Sequence, residues 1–210
     1  MEDSVNAAII GIIRPYRYVM FTTKLLNQLP TESIEAILAH EIGHNRHKHL
    51  LIYPFILMGM LLSGWGLTTL IYSNIMQNIG LRGYLTALPY WDMLAPLILF
   101  VVFMMVIAVY FRIVFGYFSR LFERQADLYV FEIQIPAKYM IDALDRLATL
   151  LGNIHQIPNW HHHSIQERID FLRSAEQDDT VIAQHQRKVK LSLAVYFMLL
   201  VITLVSIGGL

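Results

Sequence analysis

His40-Glu41-Ile42-Gly43-His44 places two histidines four residues apart around a glutamate. On a helix, residues four apart lie on one face, so both imidazoles can reach a single metal ion. Glu41 stands one residue along from His40, where its carboxylate can approach a water beside that metal without ligating it. Zinc lowers the pKa of such a water to about 7, which lets a neighbouring carboxylate take its proton. The plainer alternative makes His40 and His44 solvated helix histidines, together with His47 and His49. A third candidate ligand lies far along the chain, in Ser119-Arg120-Leu121-Phe122-Glu123-Arg124-Gln125-Ala126-Asp127. Arg120, Glu123 and Asp127 are spaced at i, i+3 and i+7, on one helical face. Two histidines and a glutamate leave one tetrahedral position open, which is the donor set of a catalytic zinc and not of a closed structural site.

These residues need two helices at a common height. Pro30-Thr31 followed by Glu32 and Glu35 predicts a helix capped by Thr31, with Ile34, Leu38 and Ile42 as its buried stripe. Leu50–Tyr72 and Met93–Phe111 contain no charged residue, and Leu191–Leu210 is a third such run that closes the chain. Each is long enough to cross a hydrocarbon core of about 30 Å at about 1.5 Å per residue. His44 lies shortly before the first run and Glu123 shortly after the second, so both are expected roughly 10–20 Å above the same bilayer face. Arg17–Thr23, bounded by Pro15 and rich in aromatic and β-branched residues, predicts a β-strand.

Composition agrees with this picture. Of 210 residues, 56% are hydrophobic and 15% charged, with 16 basic and 16 acidic side chains and no cysteine. Mean hydropathy is +0.48 and the pI is about 7.1. Disorder is excluded, as are a disulfide scaffold and a thiolate zinc site; the balanced charge argues against nucleic-acid partners. No cleavable signal peptide is visible behind Met1-Glu2-Asp3-Ser4, so the apolar runs are expected to direct insertion themselves. All of the 16 Lys and Arg except Arg82 fall in residues 1–49, 112–124 and 138–190, which the positive-inside rule assigns to the cytoplasmic side. The organisation expected is a catalytic domain in two parts, residues 1–49 and 112–188, interrupted by a transmembrane hairpin, residues 50–111, and followed by a last span, residues 189–210. Gly59, Ser63, Gly64 and Gly66 offer small surfaces for helix packing within one chain or between two, and nothing indicates an oligomer.

The paired motifs, HEIGH and SRLFERQAD, resemble those of the integral-membrane metallopeptidases that include HtpX-type quality-control proteases and CAAX prenyl proteases (M48-like). Asn6-Ala7 is similar to that family's Asn-Ala segment. His162-His163-Ser164-Ile165-Gln166-Glu167-Arg168-Ile169 is similar to its His-Pro segment ending in Arg-Ile or Arg-Leu, with His163 where proline is usual. The chain also starts almost at the Asn-Ala segment, without the family's amino-terminal spans. The resemblance covers most of residues 6–170. It implies a mainly α, integral-membrane protein: a zincin-like (gluzincin) domain with a small β-sheet, fused to about three transmembrane helices. It implies one Zn2+ per chain on His40, His44 and Glu123, with Glu41 as general base and then proton donor. Asp127 would orient a ligand histidine, with Arg120 beside it; an ion pair of Asp127 with Arg120 or Arg124 is the alternative. His162, or one of its neighbours His161 and His163, would stabilise the oxyanion, and Asn6 would bind substrate or assist the transition state. An edge strand of Arg17, Tyr18, Val19, Met20, Phe21 and Thr22 would hold an extended peptide by main-chain hydrogen bonds.

The expected function is therefore a zinc endopeptidase at the cytoplasmic face of a bacterial inner membrane, cutting membrane or misfolded proteins. A CAAX-type processing protease ranks lower, because its membrane chamber needs more spans. A non-catalytic adaptor would have no use for Glu41. A metal sensor or transporter would carry ionisable residues within its spans, and these runs have none.

Overall fold

The computed structural model describes residues 7–11, 14–157 and 163–208. The chain divides into two units, Met1–Tyr53 with Gly116–Ala194, and Pro54–Phe115 with Val195–Leu210.

In the first unit, β1 (Ala7–Ile10) pairs antiparallel with β2 (Tyr18–Phe21), and Ile9 stands opposite Val19. The strand expected over Arg17–Thr23 is thus shorter at both ends. Arg17 precedes it, and Thr22 caps the next helix instead, its hydroxyl accepting from the Leu25 amide at 3.4 Å. That helix is α1 (Thr23–Gln28). Next, α2 (Thr31–Arg46) carries the HEIGH sequence. Its cap is Pro30, one residue earlier than expected, and no side chain bonds to its first amides. Proline already holds the φ that helix entry needs, and Thr31 is the first helical residue.

The buried face of α2 also differs from the expected stripe. Ser33, Ala36, Ile37, Ala39, His40 and Gly43 point inward, while Ile34 and Leu38 are half-buried and Ile42 is exposed. Hydropathy marks the largest apolar side chains, but this helix turns its small residues inward so that neighbours can come close. Gly43 shows the limit: a Cβ there would sit 2.9 Å from the Tyr129 Cβ and 3.1 Å from the Ala126 Cα.

β1 packs on α2 from the first half of the chain, and four helices of the second half complete the core, three of them on α2 and the last on its neighbours. These helices are α6 (Gly116–Asp127), α7 (Tyr129–Glu132), α8 (Ala137–Leu150) and α9 (Ile165–Gln177). Ala36, Ala39, Val130, Met140, Leu144, Ile169 and Leu172 form one buried cluster across these helices. Leu25, Leu29, Ile37 and Ala143 form a second, against Ala7 and Phe21 of the sheet. Each large aliphatic side chain so buried contributes about 1.5–3 kcal/mol. The start of α9 is set by a capping box: Ser164 Oγ accepts from the Glu167 amide at 3.2 Å, and the Glu167 carboxylate accepts from the Ser164 amide at 2.9 Å.

The second unit contains most of α3 (His49–Gln77), then α4 (Ile79–Thr86) and α5 (Trp91–Tyr110), and the end of α10 (Asp179–Gly208). A π turn, Phe111–Phe115, joins α5 to α6. α4 lies between the first two apolar runs, where the sequence pattern predicts no helix. Among the described residues, three helices are long and apolar enough to cross a membrane: α3, the run beginning at Trp91, and α10, each holding an 18-residue stretch of mean hydropathy 1.8, 2.8 and 2.2 respectively. Their large apolar side chains, Leu97, Phe100, Met105 and Val201 among them, are exposed, as lipid contact requires. Within this unit Gly59 lets the Tyr110 and Tyr196 hydroxyls lie against α3, where a Cβ would collide with both. Tyr110 donates to the Tyr196 hydroxyl at 3.0 Å, and Tyr196 donates to the Phe55 carbonyl at 2.9 Å.

Candidate metal centre

Close packing of α2 on α6 brings three donors together. Nε2 of His40 and Nε2 of His44 are 3.1 Å apart. The Glu123 carboxylate reaches both, with Oε1 at 3.4 Å from His44 and Oε2 at 3.8 Å from His40. All three ligand atoms lie within 4.8 Å of one another. Donors about 2.1 Å from a tetrahedral zinc stand about 3.4 Å from each other, so these separations suit that ion.

The hydrogen bond behind His40 is compatible with the same ion. Nδ1 of His40 donates to Oδ1 of Asp127 at 2.8 Å, so a neutral ring carries its lone pair on Nε2. A bare imidazole nitrogen and a carboxylate then converge on His44 Nε2, an arrangement that either a proton on that nitrogen or a shared cation satisfies. Burial alone would push the His40 pKa down; Asp127 and then Glu123 outweigh it and hold it above its ordinary value.

Asp127 is fully buried and is paired with neither Arg120 nor Arg124. Its partner is Arg168, in the first turn of α9: Nε donates to Oδ2 at 2.9 Å and a terminal nitrogen to Oδ1 at 2.6 Å. The same guanidinium lies 3.6 Å from the Glu123 carboxylate. Desolvation works against its charge, but Asp127 and Glu123 raise its pKa above the ordinary arginine value. Residue type alone assigns Arg168 no role within the His162–Ile169 segment; a cation in the first turn of a capped helix is the signal that marks it.

Glu41 is half-buried, and its Oε2 accepts from the Ile9 amide at 3.1 Å. The strand touching this carboxylate is therefore β1. Its partner β2, with Tyr18 and Met20 exposed, was the strand singled out from sequence. Asn6 and His162 lie outside the described residues, as does His161. His163 turns onto the α9 cap, 3.6 Å from Glu167. Burial, then the field of Arg124, opposed by Glu167 and reinforced by Arg120, lowers its pKa to about 4.

His49, grouped above with solvated histidines, is fully buried. Its Nδ1 lies 2.9 Å from Nδ1 of His44, and its Nε2 lies 3.0 Å from Oε1 of Gln125.

The arrangement is that of a metallopeptidase centre: two helix histidines, a distant glutamate, and a second carboxylate poised beside them. The model of Peptidase family M48 matches residues 1–176. The chain is 27% identical over 160 residues to Protease HtpX homolog 1 of Sulfurisphaera tokodaii, an alignment covering 75% of this chain and 50% of that protein. The chain thus spans about half the length of this curated relative. No solved structure matches it. With the family's model covering most of its length and a metal-ligand cluster at its heart, this chain belongs to peptidase family M48.

Proposed function

We propose that the protein is a membrane-anchored zinc endopeptidase whose substrates are membrane or misfolded polypeptides, cut at the cytoplasmic face. The convergence of His40, His44 and Glu123 carries this reading. Those three residues hold the ion, one per chain. When bound, zinc polarises the scissile carbonyl and lowers the pKa of water toward about 7.

The remaining steps belong to the chain. Glu41 takes the proton from the attacking water and passes it to the departing amine. The Ile9 amide holds its carboxylate in place meanwhile, and it leaves one oxygen for the proton. Asp127, braced by Arg168, keeps the Nδ1 proton on His40 and raises that ring's basicity as a ligand. The small sheet receives an extended peptide by strand addition, a backbone-reading mode that suits unfolded segments. For Asn6 and His162 the family resemblance supplies the proposed roles, substrate binding and oxyanion stabilisation. The charge distribution along the chain supports a catalytic part on the cytoplasmic side, made from the segments before and after a transmembrane hairpin.

The test couples zinc content with cleavage of an unfolded model protein, in detergent, for the unaltered chain and for Glu41→Gln. The expected outcome is stoichiometric zinc in both and cleavage only by the unaltered chain, with Glu41→Gln slower by about 10²–10⁴-fold. Zinc without cleavage by the unaltered protein would favour a non-catalytic adaptor. A chain that takes up no zinc would end the reading.

A further inference from the structure

His44 and His40 are the two imidazole donors, yet only His40 has a carboxylate behind it. Behind His44 stands His49, whose ring lies flat on Phe122, with centroids 4.3 Å apart and planes 10° from parallel. It meets His44 edge-on, with centroids at 5.0 Å. Stacking on Phe122 thus fixes the ring's plane, and the edge contact places its Nδ1 against His44.

The hydrogen bonds have a direction. The Gln125 amide nitrogen donates to Oε1 of Gln186 on α10. That orientation turns the Gln125 oxygen toward Nε2 of His49, and an amide oxygen offers only lone pairs. The His49 proton therefore sits on Nε2. A neutral imidazole has a single N–H, so Nδ1 of His49 must accept, and the group facing it is Nδ1–H of His44. His44 is left with a bare Nε2, aimed at His40 Nε2 and Glu123. Run the other way, the chain of bonds would put a proton on His44 Nε2, making it a donor unable to ligate.

We propose that His49 is a positioning residue for the metal: it selects the metal-binding tautomer of His44 and fixes the ring's aim, while Gln125 and Gln186 select the tautomer of His49. The inference rests on His40, His44 and Glu123 being the zinc ligands. It assigns work to three residues outside the paired motif's ligand and base positions, one of them contributed by α10.

Two measurements on the full chain in detergent decide it, with zinc alone as the probe. The first is ¹⁵N NMR of histidine-labelled, metal-free protein. The expected pattern is His44 protonated on Nδ1 and His49 on Nε2; His49 protonated on Nδ1, or on both nitrogens, overturns the proposal. The second compares zinc affinity, by chelator competition, for the unaltered chain, His49→Phe and His49→Asn. Phenylalanine keeps the stacking and removes the acceptor, and affinity should fall about 10- to 100-fold. Asparagine places its Oδ1 where Nδ1 of His49 stood, and affinity should return close to that of the unaltered chain. The visible spectrum of the cobalt-substituted protein should shift for His49→Phe and be restored by His49→Asn. Equal affinity in the unaltered chain and His49→Phe, or an equal loss in both variants, overturns the inference while leaving the zinc reading intact. An unaltered chain that binds no zinc overturns both. Should His49→Phe not fold, the NMR pattern of the unaltered protein is decisive alone.

Discussion

The two histidines of α2 sit one turn apart and are supported in opposite ways. Behind His40 lies an ionic brace, Asp127 clamped at 2.9 and 2.6 Å by Arg168. Behind His44 lies a neutral chain of imidazole and amides, at 2.9 and 3.0 Å. The first support is stiff and charged: it pushes electron density toward its ligand, and it is costly to break because a lone buried charge remains. The second orients its ligand without adding charge. A single cluster thus holds one electron-rich and one ordinary imidazole, and the contrast can be measured.

Arg168→Met should show the largest effect. It strands the Asp127 carboxylate in the interior, and such losses run to about 3–5 kcal/mol. Chemical denaturation of the zinc-free protein would measure it, and a loss below about 1 kcal/mol would mean that the brace is not the ionic pair described. Gly43→Ala comes next, because it wedges α2 away from α6 and α7 and disturbs both supports together. Overpacking of this kind costs about 1–3 kcal/mol, and zinc affinity should fall with stability. Cutting the neutral side with Gln125→Leu leaves the His49 N–H without its acceptor, at about 1–3 kcal/mol, and zinc affinity should fall less than in Arg168→Met. A reversed order between those two variants would invert the comparison. Ser164→Ala is the smallest. Loss of the α9 cap costs about 1 kcal/mol, and a double-mutant cycle with Arg168→Met should show that part of this cost reaches the site through Arg168.

The ligands and their helices were legible because the HEIGH spacing and the Ser119–Asp127 segment carry their chemistry in residue type and period. The apolar runs were legible too, since length and absence of charge suffice. The supports were not. Arg168 reaches Asp127 across 41 residues, and its partner depends on where α9 docks. His49 looked like one of several histidines in a polar stretch, because burial against Phe122 is a tertiary fact. The inward face of α2 was misjudged for a related reason: Ala36, Ala39 and Gly43 are too small to register as a hydrophobic stripe, yet close approach requires that smallness. At Thr22, strand and cap propensities compete within one residue, and the neighbouring helix decided in favour of the cap.

The order of elements along the chain has a consequence for how the protein is made. The histidine pair lies on α2, whereas Glu123, Asp127 and Arg168 follow α3 and α5 in the chain. A ribosome that has released α2 but not α6 has released two imidazoles without Glu123. The cluster can close only after the two intervening apolar segments have been translated, and its brace only once α9 has emerged. A nascent chain is therefore unable to assemble this cluster before α6 has been made, or its brace before α9 has followed.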